Sequence, residues 1–361
     1  MSSSRNFIHR FDWILFGVVL SMLVLSSLTF YGLDDRSGQF LTRHIILILA
    51  AIGIMFLVSF FDYRVFKNYS TASVIIYVVA IILLGLAFAS QQIRGISGWI
   101  VFNQFTFQPA EFAKLAVLIL LAKYFSQKHV EINNVSHIIG SAVYVGLPLA
   151  MVFVQPDFGS AVVFGAIWLT ILIFSGIDKR KLLSIIMLGV IAITAGWFLV
   201  LKDYQKNRIL SFSDPTSDPR GQGYHLIQSK IAIGSGGWGG DIFNFNKTYS
   251  TTVPEPYTDF IFTSYAHKFG FIGVIILVGL LLVLTTRLIN IASHEAQNNF
   301  SKFFTIGFLG ILMTHFTINI GMNLGLLPIT GIPLPFLSYG GSHLITMMAG
   351  LGMVQSIKIH G

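Results

Sequence analysis

Long apolar runs alternate with short polar breaks along almost the whole chain. The runs fall at about 13–31, 43–61, 71–89, 111–126, 137–154, 159–176, 182–201, 259–286, 303–325 and 342–358. A helix needs roughly 20 residues to cross the hydrocarbon core of a bilayer. The pattern therefore predicts an all-α, polytopic integral membrane protein of about ten transmembrane helices. The fourth run is the least hydrophobic, because it opens EFAK, and the tenth is short and rich in Gly and Met. No repeat of fixed period breaks the pattern and no soluble domain is appended. Residues 1–361 read as one membrane domain, with a large polar segment at about 202–257 between the seventh and eighth helices.

Composition agrees. The chain is 54% hydrophobic and only 11% charged, with a mean hydropathy of +0.75. Soluble domains carry about 25% charged residues, because a water-facing surface needs them. Cysteine is absent, which excludes a disulfide framework and thiolate metal sites. The net charge of +8 is spread over the ends of the apolar runs. It forms no basic stripe interleaved with stacking aromatics, so no nucleic-acid partner is expected. The N-terminal MSSSRNFIHRFDW leads straight into a full-length run without a small-residue cleavage site, and reads as a retained first helix.

Lys and Arg in short loops set orientation. With the N-terminus inside, the inner segments hold Arg5, Arg10, Arg64, Lys67, Lys123, Lys128, Lys179, Arg180, Lys181, Arg287, Lys302 and Lys358. The short outer loops then hold only Arg36, Arg43 and Arg94. An N-in, C-in topology follows. It collects segments 90–110, 155–158, 202–257 and 326–341 on the outer face, where Gly, Pro and polar residues concentrate.

In the long outer segment, YHLIQSKIAI has helical spacing and predicts a short interfacial helix, and the GSGGWGG after it reads as a flexible turn or linker. His225 and Lys230 are placed to meet an anionic headgroup, or are solvated loop residues. Glu255 and Asp259 are four apart and share a face if the next helix starts early. Thr258 is then its N-cap and Asp259 lies in its first turn. Acids are favoured there by the helix dipole alone; alternatively, a fixed ionised carboxylate suits a metal ligand or a general base. Glu111 and Lys114, at i,i+3 in QPAEFAKL, either snorkel to headgroups or pair inside the membrane, where ionisable groups mark functional sites. Asp157 in QPDFGS is a helix cap or part of a site. Arg94 suits a phosphate, and Trp99 an interfacial aromatic anchor. His315 and His343 are expected to be packing histidines, and the histidine spacing shows no metal-ligand pattern. Finally, NIGMNLGLLPITGIPLPFLSYGGS (319–342) places Asn319, Asn323, prolines and glycines at a membrane interface. Broken backbone at that depth is tolerated only where it lines a cavity or is buried in protein. A membrane transporter and an enzyme acting on a lipid-borne substrate both fit these features.

That last segment resembles the signature of the SEDS family (shape, elongation, division, sporulation). FQPAEFAKL at 107–115, QPDFGS at 155–160, NRILSFSDPTSDPRGQGYHLIQSKIAIGSGG at 207–237 and PEPYTDFIF at 254–262 match it in order. The wording GYHLIQSKIAIGSGG is closer to the elongation members than to the division members. The resemblance implies a peptidoglycan glycosyltransferase of the bacterial cytoplasmic membrane that polymerises lipid II in cell-wall elongation. It makes Asp259 the essential carboxylate of the TDF motif, as general base or metal holder, and puts Glu111, Lys114 and Trp99 at family positions. Arg94, Asp157, Glu255 and Lys230 join them as expected substrate contacts. A divalent cation, Mg²⁺ by expectation, would sit at Asp259. The implied partners are a class B penicillin-binding protein and other membrane proteins of the elongation complex. Tyr257 departs from the family, which usually has His there. His267 and Lys268 stand where a Glu-Glu pair is common, and Gly98 where a basic residue often precedes the tryptophan. The rival readings are a lipid II flippase and a scaffold that only recruits the transpeptidase.

Overall fold

Each of the ten apolar runs forms one long helix, with ends shifted by a few residues. A computed structural model describes residues 9–33, 38–90, 98–102, 105–128, 134–199, 206, 212, 222–241 and 253–361. The helices are α1 (Trp13–Leu33), α2 (Gln39–Phe60), the short α3 (Arg64–Asn68), α4 (Ser70–Phe88), α5 (Pro109–Lys128), α6 (Val135–Val154), α7 (Phe158–Phe174), α8 (Lys179–Leu199), α9 (Gln222–Ser235), α10 (Ile261–Asn290), α11 (Asn299–Leu324) and α12 (Gly341–His360). Among the described residues seven are long and apolar enough to cross a membrane: α1, α2, α4, α6, α8, α10 and α11. The protein is thus an all-α polytopic membrane protein.

The polarity of α5 has a packing cause. Nearly every residue from Pro109 to Phe125 is buried, because α4, α7, α11 and α12 surround it. A helix enclosed by protein need not be apolar to be at home in the bundle, and small residues such as Ala110, Ala113 and Ala116 let its neighbours approach closely. At the other extreme, α8 buries none of its apolar window.

Two features depart from the sequence expectation. Segment 90–110 is not all loop: β1 (Ile100–Phe102) and β2 (Phe105–Phe107) pair antiparallel, with Ile100 opposite Phe107. The Gln108 amide donates to Ser342 Oγ at 3.0 Å, pinning the hairpin to the start of α12. The glycine-rich turn after α9 is no linker. Phe271 N donates to Gly237 O at 2.9 Å and Ile272 N to Trp238 O at 3.0 Å. Gly270 (φ 63) kinks α10 at that point, and a Cβ there would lie 2.3 Å from Gly240 N. Only glycine allows two main chains to touch in this way.

At the end of α10–α12 away from these loops, Asp12 ties the chain's beginning to its end. Its Oδ2 accepts from Arg287 Nε at 2.7 Å and from Lys358 Nζ at 2.8 Å, and its Oδ1 accepts from Leu15 N at 2.9 Å. Its main chain bonds in both directions with the Gln355 amide. Burial pushes the Asp12 carboxyl up, but the Lys358 hydrogen bond, the Leu15 amide and the Arg287 charge outweigh it and hold the group below its ordinary 3.8. A depressed carboxyl stabilises the fold above the unfolded value and loses that contribution as pH falls through the folded value. Asp12→Asn is therefore expected to cost about 1.5–3 kcal/mol at neutral pH, the range for hydrogen bonds to a charged group. The gap from wild type should close below pH 3.8. Melting curves of both proteins across that range check this, and a gap independent of pH would contradict it.

Candidate active site

The outer-loop segments predicted to carry the chemistry converge on one cavity of about 320 Å³. Its walls come from the hairpin and α5 (Trp99, Gln108, Glu111, Lys114), the start of α7 (Asp157, Ser160), α9 (His225), the turn before α10 (Glu255, Thr258, Asp259) and the stretch from Ile329 to His343.

Asp259 is held there by its main chain. Its carbonyl accepts from Asn319 Nδ2 at 3.1 Å and from Asn323 Nδ2 at 3.0 Å. Asn319 Nδ2 also reaches Ile332 O at 2.7 Å, and Asn323 Oδ1 accepts from Thr263 N and Thr263 Oγ1. The preceding carbonyl, of Thr258, accepts from Ser338 Oγ at 2.8 Å, and that of Tyr257 accepts from Tyr339 N at 2.8 Å. These bonds occupy carbonyls that a helix would otherwise use. Helix α10 accordingly begins only at Ile261, with Phe260 as N-cap and no side-chain cap. Thr258 is thus not the N-cap, and Asp259 precedes the helix rather than lying in its first turn. Glu255 and Asp259 share the cavity without sharing a helical face. Glu255 has φ 48, a left-handed conformation that non-glycine residues adopt at a cost and that clusters at functional sites.

Gly331 (φ 75) faces the carboxylate: a Cβ there would lie 3.5 Å from Asp259 Oδ2. Gly159 lets α7 abut the same loop, since its Cβ would lie 2.6 Å from Ile332 Cγ1. Asp157 caps α7 by accepting from Ser160 N at 2.9 Å through Oδ1, while its Oδ2 accepts from Gln108 Nε2 at 3.2 Å. Capping and membership of the site are here one arrangement.

Glu111 and Lys114 sit at the buried side of the cavity. Lys114 Nζ lies 2.7 Å from Glu111 Oε1, and both residues are 1% exposed, which rules out snorkelling. Glu111 Oε2 accepts from His343 Nδ1 at 2.9 Å, and Lys114 Nζ also faces His315 Nε2 at 3.4 Å. His315 Nδ1 donates to Pro333 O at 3.0 Å. His343 was expected to be a satisfied packing residue. It is satisfied only at Nδ1, because its Nε2 is buried without a hydrogen-bond partner among the described residues.

A family model described as cell cycle protein, covering FtsW, RodA and SpoVE, matches residues 5–361. The chain belongs to this family. The peptidoglycan glycosyltransferase MrdB of Escherichia coli K12 is 35% identical over 345 residues, covering 95% of this chain and 92% of that protein. The peptidoglycan glycosyltransferase RodA of Treponema pallidum is 29% identical over 97% of this chain and 98% of its own length. Among solved structures, a chain of a peptidoglycan synthase complex that coordinates polymerization and crosslinking superposes with a TM-score of 0.83 at 31% identity, covering 96% of this chain and 97% of that one. The rod shape determining protein RodA of Thermus thermophilus gives 0.72 at 26% identity, covering 96% of each chain.

Of the residues singled out in the sequence, the cavity brings together Asp259, Glu111, Lys114, Trp99, Asp157, Glu255 and His225. Lys230 is exposed on α9, with its side chain over Gly325 and outside the cavity lining. Arg94 lies outside the described residues. Gln108, Gly331, Tyr339, Ser342 and His343 line the cavity and were not named as site residues, although Gln108 lies within the family motif FQPAEFAKL and Tyr339 and Ser342 within SYGGS.

Proposed function

We propose that this protein is a peptidoglycan glycosyltransferase that joins lipid-linked disaccharide units into glycan strands at the outer face of the bacterial cytoplasmic membrane. The observation that carries the reading is an acid, Asp259, fixed by its main chain in a cavity that also holds a buried Lys–Glu pair. The ten long helices all cross the bilayer, with both termini inside, so that the cavity opens outward. Close likeness to glycosyltransferases of the family over nearly the whole chain supports the reaction class.

In the reaction, the sugar 4-hydroxyl of one lipid II attacks the anomeric carbon of the growing strand. The new C1–O4 bond forms as the bond from C1 to the lipid pyrophosphate oxygen breaks, with inversion. Asp259 accepts the hydroxyl proton, and undecaprenyl pyrophosphate leaves with the electron pair. Lys114, which lines the same cavity, would meet the developing negative charge, and preorganised charge of this kind is worth most in a water-poor site. His225, Trp99 and Glu255 orient the sugar and phosphate groups.

The Asp259 carboxylate would be the residue to hold a hard cation such as Mg²⁺, which prefers oxygen ligands. Such an ion, when bound there, would neutralise pyrophosphate charge.

The partner is a class B penicillin-binding protein that crosslinks the strands, together with other membrane proteins of the elongation complex. The likeness to the rod shape determining protein RodA of T. thermophilus supports the elongation branch over division, and the synthase complex that coordinates polymerization and crosslinking supports a crosslinking partner.

Purified protein given lipid II and Mg²⁺, with and without the transpeptidase, is expected to yield long glycan strands on gels. Transbilayer movement of lipid II in vesicles without polymer would replace this reading with a flippase. Polymer formation by the partner alone would leave the protein a scaffold.

A further inference from the structure

The histidines that the glycosyl transfer does not use are arranged around the Glu111–Lys114 pair in a way suited to a different ligand. One donor atom from each of Glu111, His315 and His343 lies within 4.8 Å of the others, and all three residues are buried. One hydrogen bond fixes the tautomer of His315. A carbonyl only accepts, so His315 Nδ1 carries the proton it gives to Pro333 O, and its Nε2 is a bare lone pair. His343 Nδ1, 2.9 Å from Glu111 Oε2, is the ring nitrogen on the carboxylate side; moving its proton to Nε2, which has no hydrogen-bond partner among the described residues, frees Nδ1 as the second nitrogen donor. The rings stand 4.8 Å apart between centroids. Imidazoles that ligate metals characteristically donate their other N–H to a carboxylate or a backbone carbonyl. For His315 that outer partner, the Pro333 carbonyl, is already in place.

We infer that Glu111, His315 and His343 form a site for a borderline divalent metal ion of the Zn²⁺ or Co²⁺ class, which competes with the Lys114 ammonium for the same position. Two imidazole nitrogens and one carboxylate select such an ion over Mg²⁺ or Ca²⁺, which prefer all-oxygen sites. The donor set is therefore chemically distinct from the Asp259 carboxylate. Lys114 Nζ, at 2.7 Å from Glu111 Oε1 and 3.4 Å from His315 Nε2, is the resident cation between carboxylate and imidazole. A divalent ion cannot share that position with an ammonium. Zn–N bonds of about 2.0–2.1 Å require the donors to close by roughly 1 Å, which side-chain rotation supplies once the ammonium swings out. Glu111, Lys114 and His343 all line the cavity, so the departing ammonium has somewhere to go and the ion keeps a coordination position open. Occupancy by the ion and pairing of Lys114 with Glu111 exclude one another.

The full chain, purified in detergent and stripped with a chelator, is titrated with Co²⁺ and followed by its visible ligand-field absorption; Zn²⁺ uptake is measured by equilibrium dialysis. Wild type is expected to bind one ion with tetrahedral absorption. His315→Gln and His343→Gln should each weaken binding by at least the about 10–100-fold seen when even outer-shell partners are removed. Lys114→Met should tighten binding, a gain that misfolding cannot mimic. No ion in either wild type or Lys114→Met overturns the proposal. So does affinity unchanged by both histidine substitutions, or an ion lost in Asp259→Asn and kept in His343→Gln.

Discussion

Asp259→Asn is expected to lower glycan polymerisation by about 10²–10⁴-fold, the usual contribution of a single acid–base group. Most substitutions at a buried junction confound chemistry with folding, but the geometry here separates them. Asn319 and Asn323 hold the main-chain carbonyl of Asp259, which Asn retains unchanged. The Tyr257 and Thr258 carbonyls are likewise bound from the 338–339 segment. Asn is also isosteric beside Gly331, where a larger side chain would lose room. Purified Asp259→Asn should thus melt like wild type while yielding almost no strand from lipid II. Wild-type rates in that variant would remove Asp259 from the chemistry. A variant that fails to fold would show that the carboxylate, not only its carbonyl, holds the loop.

Glu111→Gln is expected to cost stability on a comparable scale. Removing one partner of a buried ion pair leaves the other charge uncompensated and costs about 3–5 kcal/mol. Glu111 and Lys114 are each 1% exposed, so water cannot take over the role of the missing carboxylate. The same substitution weakens the acceptor for His343 Nδ1. Melting in detergent should show a large loss for Glu111→Gln and a smaller one for Glu111→Gln combined with Lys114→Met, because removing both charges also removes the desolvation penalty. Equal losses in the single and double variants would show that the pair does not act as a unit.

The helices were legible from the sequence because a bilayer imposes a length. A run such as 71–89 has no soluble alternative, and it appears as Ser70–Phe88. The side-chain convergence was legible only in part. Glu111 and Lys114 were readable as a pair from their i,i+3 spacing, since the helix itself brings them together. His343 was not, because its partner Glu111 lies 232 positions away on another helix. A lone histidine in an apolar run is indistinguishable from a packing residue until that helix is docked. The hairpin escaped notice because three-residue strands hold too little alternation to stand out from an apolar loop. Thr258 was misread as a cap because helix-start chemistry was visible locally, whereas the asparagines that claim the neighbouring carbonyls come from α11. Helix α5 shows the same limit: its low hydropathy looked like a weak span and is the mark of a central one.

The contact between Gly240 and Gly270 has a mechanical meaning. Two main chains touch there with no side chain between them, and the hydrogen bonds from Phe271 and Ile272 run across the junction. Such a joint has no compliant layer to absorb a displacement. Farther along α9, Ser229 is bonded to Thr263 of α10 and to the Asn323 carbonyl of α11. The helix over the cavity and the first turns of α10 are thus riveted at two points into a stiff lever. Because α10 begins two residues after Asp259, α9 and the turn that carries this acid are expected to move as one body.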